Sequence, residues 1–220
     1  MNAPRVRTTL FLVLLLLPFA YAAYLYPHAP ERVPMHFNLN GEVDGWGNRN
    51  SLFIGPLILG IVGIFVYFLV SNLRRIDPKR YGDSDDGVFQ QLALVTQAFL
   101  CCLNLLILYS SMHQEAPLQK LLFAFIGLMF SVFGLYMSKL KQNYFAGFKL
   151  PWTLASEANW ISTHQLAGKL WLVGGLLLLP ASLLLERAPL SIVFFLITIV
   201  LVLWPCIHSY LFFRREMDNL

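Results

Sequence analysis

The sequence predicts an all-α integral membrane protein with about six transmembrane helices, an extracytoplasmic hairpin loop and a cytoplasmic interfacial helix. Three observations carry that prediction. Of 220 residues, 57% are hydrophobic and only 13% charged, against about 25% charged in ordinary soluble domains. The apolar residues come in runs close to the roughly 20 residues that a helix needs to cross the hydrocarbon. Lys and Arg are spread unequally between alternate loops. Backbone N–H and C=O groups find no partner in lipid, so each run must be helical. A chain of this length that holds so many spans has no room for a large soluble domain as well.

Taken in order, the first span is Leu10–Tyr26, preceded by Arg5 and Arg7 and closed by Tyr21, Tyr24 and Tyr26 as an interfacial aromatic belt. Pro18 and Ala20-Tyr21-Ala22 also outline a signal peptide with a small-residue cleavage site, but the run is long and large tyrosines flank the site, so it is read as a retained span. Leu52–Val70, Val88–Tyr109, Leu121–Met137 and Leu190–Phe213 are clear spans. Leu166–Leu185 carries Lys169 near its start and Pro180 near its end, with a strongly apolar stretch between them. Pro18, Pro56, Pro180 and Pro205 mark kinks or helix ends. The chain divides into an N-terminal helix pair over 1–80 with an external loop at 27–51, a middle pair over 81–137, and a C-terminal loop with its helix pair over 138–220.

Orientation follows from the bases. With the N-terminus inside, only Arg32, Arg49, Lys120 and Arg187 of the 16 Lys and Arg fall outside. The positive-inside rule therefore puts both termini in the cytoplasm. The pI near 9.0 reflects these cytoplasmic bases and does not call for nucleic acid as a partner. Cys101, Cys102 and Cys206 fall inside spans, so no disulfide is expected. The acidic patch Asp83, Asp85 and Asp86 reads as a solvated cytoplasmic loop.

No Asp or Glu lies within a predicted span, which counts against a proton-driven transporter. Gln90, Gln97, Asn104 and Ser111 recur at intervals of seven, nearly two helical turns, and form one polar stripe on the third span. Hydrogen bonding between helices is the favoured reading of that stripe. Its alternative is the wall of a cavity in a small-solute channel or carrier. Gly127, Ser131, Gly134 and Ser138 form a small-residue face for close helix approach. His208, beside Pro205, reads as a snorkelling or capping histidine. No HExxH, GxSxG or paired-carboxylate constellation is present, so neither an enzyme nor a cofactor nor a metal is expected.

Two loops are informative. In the external one, Asn40-Gly41 between alternating residues signals a two-residue hairpin. That register sets Leu39 against Glu42, Phe37 against Asp44 and Met35 against Trp46. It leaves His36 on the opposite face with Asn38 and Val43, away from both carboxylates. Asn40-x-Glu42-x-Asp44-Gly45 opens like a calcium loop, but its twelfth position is Ser51, not Glu, so calcium is not expected. The loop reads as a folded lid on the helix ends. Its candidate ligand-binding residues are His36, Phe37, Asn38, Gly41, Asp44 and Trp46.

In the second loop Pro151 turns the chain, Thr153 or Ser156 can cap a helix, and Glu157 sits in its first turn. Trp160, His164, Ala167 and Trp171 then share a face, which predicts an interfacial helix running into the fifth span with its tryptophans at headgroup depth. His164 reads first as an interfacial histidine bonded to nearby backbone, with a proton switch or ligand as the alternative. The candidate partner-binding residues are Asn143, Gly147, Lys149, Pro151, Trp152, Glu157, Trp160, His164 and Lys169.

Together the loops resemble the SdpI family of bacterial membrane proteins. The external loop is similar to its N-terminal region through Pro30, Arg32, Pro34, His36, Phe37, Gly41 and Asp44, and Ile76-Asp77-Pro78-Lys79-Arg80 is similar to an element after its second helix. Asn143-Tyr144-Phe145, Gly147, Pro151-Trp152-Thr153-Leu154, Ser156-Glu157, Trp160, Thr163-His164 and Gly168-Lys169 resemble its C-terminal signature. Where that signature usually has Arg-Thr before Pro-Trp, this chain has Lys149-Leu150, so an ammonium replaces a guanidinium fork. The resemblance implies a six-helix protein of the cytoplasmic membrane. It further implies immunity against a secreted antimicrobial peptide, signalling by holding a transcriptional repressor at the membrane, or both.

Overall fold

The computed structural model describes residues 3–76 and 87–218. The motif Asp77-Pro78-Lys79-Arg80 and the acidic patch at Asp83, Asp85 and Asp86 lie outside the described residues. Among the described residues there are six long helices: α1 (Ala3–Leu25), α2 (Ile54–Ser71), α3 (Gly87–Met112), α4 (Leu118–Met137), α5 (Glu157–Leu184) and α6 (Arg187–Asp218). Each is long and apolar enough to cross a membrane, and the chain is an all-α multi-pass membrane protein with one two-stranded sheet. Strands β1 (Arg32–Phe37) and β2 (Val43–Asn48) pair antiparallel between α1 and α2. The chain forms two compact units, Met1–Leu122 and Phe123–Leu220.

In the first unit the C-terminal ends of α1 and α3 share a small apolar core with the hairpin. Ala22, Leu25, Ala29, Val33, Leu52 and Leu108 are its buried members, with Tyr21, Met35, Phe53 and Met112 packed against them. Short 3-10 turns at Tyr26–His28 and Arg49–Phe53 lead into and out of the sheet. Burying the Val33 side of the hairpin on the helix ends fixes the sheet as a lid, because a two-stranded sheet alone is marginal in water. Deeper in the unit, Gln97 and Asn104 are each 3% exposed and face α2. A Cβ on Gly63 would collide with Oε1 of Gln97, and one on Gly55 would lie 3.0 Å from Oδ1 of Asn104. The Asn104 amide donates to the Leu100 carbonyl at 3.1 Å. The two amides thus sit on glycines of α2, and the hydrogen bond that Asn104 makes stays within its own helix. Gln90, at its end, lines a pocket of about 180 Å³ with Arg7, Thr8 and Tyr67.

In the second unit α4 and α5 cross on small residues. A Cβ on Gly134 would stand 2.6 Å from the Leu172 nitrogen and 2.8 Å from the Gly168 oxygen, and one on Gly127 would stand 2.8 Å from the Gly175 oxygen. Ser131 donates to the Gly127 carbonyl at 3.0 Å and reaches the Leu172 carbonyl at 3.3 Å. Close approach maximises van der Waals contact where lipid offers no hydrophobic drive. The α5–α6 pair instead carries a polar seam. Buried Asn159 donates to the Ser209 carbonyl at 2.9 Å and accepts from the Ser209 hydroxyl at 2.7 Å and from Thr163 at 3.0 Å. His208, expected as a snorkelling or capping residue, is held by Ser162 at 2.9 Å.

Candidate functional site

The hairpin between α1 and α2 differs in register from the two-residue expectation. Asn38 accepts from the Gly41 N–H at 2.9 Å, and its own N–H donates to the Glu42 carbonyl at 2.9 Å. The loop is therefore Leu39-Asn40-Gly41, with Gly41 at φ +76° in the left-handed region that a three-residue hairpin places at its last position. The Asn38 side chain closes the loop, accepting from the Asn40 and Glu42 amides at 2.9 and 3.0 Å and donating to the Glu42 carboxylate at 3.0 Å. Phe37 now faces Val43, His36 faces Gly45 and Pro34 faces Trp46, with bulges in between.

One residue of register turns a strand over, and the bulges restore alternation further along. His36 and Asp44, expected on opposite faces, meet with Nδ1 2.5 Å from Oδ1. This corrects the separation of His36 from the carboxylates. His36, Asp44 and Trp46 are all exposed, so they share the solvent side, while Val33 and Pro34 are buried and Phe37 is half-buried. Sequence reasoning missed Gln119. Its amide donates to the Leu39 carbonyl at 2.8 Å and pins the hairpin tip to the first turn of α4. A contact spanning 80 positions leaves no local signal.

The second cluster lies in the loop between α4 and α5. The interfacial helix expected there is the first part of α5, continuous with the span, and the short helix Pro151–Ala155 precedes it. Ser156 caps α5, accepting from the Asn159 N–H at 3.2 Å and donating to Glu216 at 3.0 Å. Trp160, expected at headgroup depth, is fully buried in protein. The reason is its indole N–H, which donates to the Leu140 carbonyl at 2.7 Å and needs the loop wrapped over it. His164 stacks on Trp160 with ring centroids 3.9 Å apart.

His164 is bonded at both nitrogens. Nδ1 is 2.8 Å from the Trp160 carbonyl and so carries the proton, while Nε2 accepts from the Phe148 N–H at 3.0 Å. That pattern defines a neutral imidazole, the backbone-bonded histidine of the first reading. Gly147, at φ +108°, lies directly over Nε2, where any Cβ would collide with it. Buried Asn143 folds the loop back, accepting from the Phe145 and Ala146 amides at 2.8 and 2.7 Å.

Thr153 bonds the Phe148 carbonyl at 2.7 Å and the Leu150 N–H at 2.9 Å. Gln142 caps the Thr153 and Leu154 carbonyls at 2.8 and 3.0 Å. Asn143, Gly147, Pro151, Trp160 and His164 are thus one built structure. Trp152 sits half-buried against Tyr210 and Phe213, at 5.5 and 6.1 Å. Lys149, Glu157 and Lys169 are exposed, and Lys169 lines a groove with Ser138 and Gln165.

Residues 139–209, which contain this cluster, match the model of the SdpI/YfhL protein family. Residues 13–60, which contain the hairpin, match a domain of unknown function, DUF1648. The chain is 22% identical over 204 residues to "Immunity protein SdpI" of Bacillus subtilis (strain 168), covering 93% of this chain and 94% of the relative. It is 33% identical over 70 residues to an uncharacterised protein of Archaeoglobus fulgidus, covering 32% of this chain and 38% of that relative. No solved structure matches.

Proposed function

We propose, from the premise that residues 139–209 are of the SdpI/YfhL kind and that the chain as a whole is SdpI-like, that this protein is a non-enzymatic membrane protein protecting its cell against a secreted, membrane-active peptide. The observation that carries this reading is the extent of the likeness to an immunity protein, 93% of the chain. The hairpin supports it. Its buried side is packed on helix ends, while His36, Asp44 and Trp46 form an ordered outward face, with Leu39 at the tip 68% exposed. A carboxylate beside an exposed indole suits a peptide with basic and apolar side chains. The charge distribution supports a cytoplasmic membrane location with both termini inside. Lys149, Glu157 and the Pro151-Trp152 turn would then face the cytoplasm, where a repressor could be held.

The test is expression in a peptide-sensitive bacterial strain, challenged with a panel of membrane-active peptides. Wild type should raise survival. His36→Ala and Asp44→Ala should lower protection while the amount of inserted protein stays the same. A wild-type protein that protects against no peptide in the panel would sink the proposal.

A further inference from the structure

We infer that the groove between α4 and α5 beside Lys169 binds the headgroup of an anionic phospholipid. Lys169 is exposed, and among the described residues it has no hydrogen bond or ion pair. Its position makes that unusual. It stands 15 residues before Leu184, the last residue of α5, which is about 22 Å of helix. A hydrocarbon core is about 30 Å thick. Lys169 therefore lies within the apolar slab when Leu184 marks its far face. A cation there is costly and needs a partner or a route to the headgroups.

The groove supplies the shape. It has a volume of about 280 Å³ and is lined by Ser138, Gln165 and Lys169 together with Gly134, Leu135 and Leu172. Ser138 follows the last residue of α4, and Gln165 lies one turn closer to the start of α5 than Lys169. The polar groups thus lie towards the membrane face and the apolar ones towards mid-span. An ammonium, a hydroxyl and an amide over an apolar floor match a phosphate carried on a glycerol with acyl chains. A free anion would have no use for that floor. The inference is independent of the immunity proposal, because it needs only that α5 spans the bilayer.

The experiment is native mass spectrometry of the full, delipidated chain with equimolar phosphatidylglycerol and phosphatidylcholine. Wild type should retain phosphatidylglycerol with a preference of about fivefold, the factor a single basic residue near the headgroups provides. Lys169→Gln and Lys169→Met should lose that preference, Lys169→Arg should keep it, and Lys141→Gln should leave it unchanged. Excess inorganic phosphate should not displace the lipid. A preference that survives both neutral variants overturns the inference, as does its equal loss in Lys141→Gln, which would mean diffuse charge. Displacement by phosphate would also overturn it, since the site would then take a free anion.

Discussion

At the scale of single residues, two tryptophans carry the C-terminal loop in different ways. Trp160 spends its indole N–H on the Leu140 carbonyl, whereas Trp152 has a buried Nε1 with no hydrogen-bond partner among the described residues. Trp160→Phe keeps the stack on His164 but strands a carbonyl, at a cost of about 1–3 kcal/mol. Trp152→Phe removes an unpaired donor and keeps an aromatic ring between Tyr210 and Phe213. Thermal melts in detergent should therefore show a clear drop for Trp160→Phe and little change for Trp152→Phe. Equal drops would mean that ring volume, not the hydrogen bond, holds the loop.

Gly147 is the second residue-scale case. An alanine there would meet strain of about 1–3 kcal/mol for its left-handed backbone and would push His164 off the Phe148 N–H. Gly147→Ala should lower the melting temperature by several degrees, while Tyr144→Ala, at an exposed position, should not. If both melt like wild type, the His164 arrangement is not what keeps the loop in place.

At the scale of elements, the α2–α3 seam gives a graded test. Both Gly60 and Gly63 lie inside α2, where alanine is the better helix former by about 1 kcal/mol. A Cβ on Gly60 would be 3.4 Å from a Leu15 methyl, an ordinary contact, but one on Gly63 would run into Oε1 of Gln97. Gly60→Ala should be neutral or stabilising and Gly63→Ala destabilising. The pair Gly63→Ala with Gln97→Ala should recover part of the loss, read by the same melts. No recovery would mean that the two helices do not meet through this contact. The hairpin is the other element whose order is testable. Gln119→Ala frees the Leu39 carbonyl, so limited proteolysis should cut the hairpin tip faster in this variant than in wild type.

At the scale of the molecule, the prediction concerns sidedness. Asn48 ends β2 and Tyr144 lies in the C-terminal loop, and both are exposed. With the termini inside, a cysteine at Asn48 should react with an impermeant thiol reagent in intact cells, and one at Tyr144 only after the membrane is opened. Labelling of Tyr144→Cys from outside would reverse the orientation and exchange the roles of the two loops.

What the sequence determined by itself is what composition and period encode. Six apolar runs define six helices because lipid leaves the backbone no other partner. The seven-residue stripe and the small face at Gly127, Ser131 and Gly134 mark the helix sides that pack, because a helix presents those positions together. The residues of the two informative loops were visible too, through turn chemistry, capping and family resemblance. Their geometry was not. The hairpin register depends on a bulge at each strand and on Asn38 closing a three-residue loop, and this alone brings His36 to Asp44. Trp160 reads as interfacial from sequence because its position on α5 says nothing about the Leu140 carbonyl 20 residues earlier. Gln119, Asn159 and Gly147 owe their roles to partners far along the chain or above the ring they cover. Such contacts are decided by which polar groups the packed helices leave to satisfy, and only the tertiary structure says which those are.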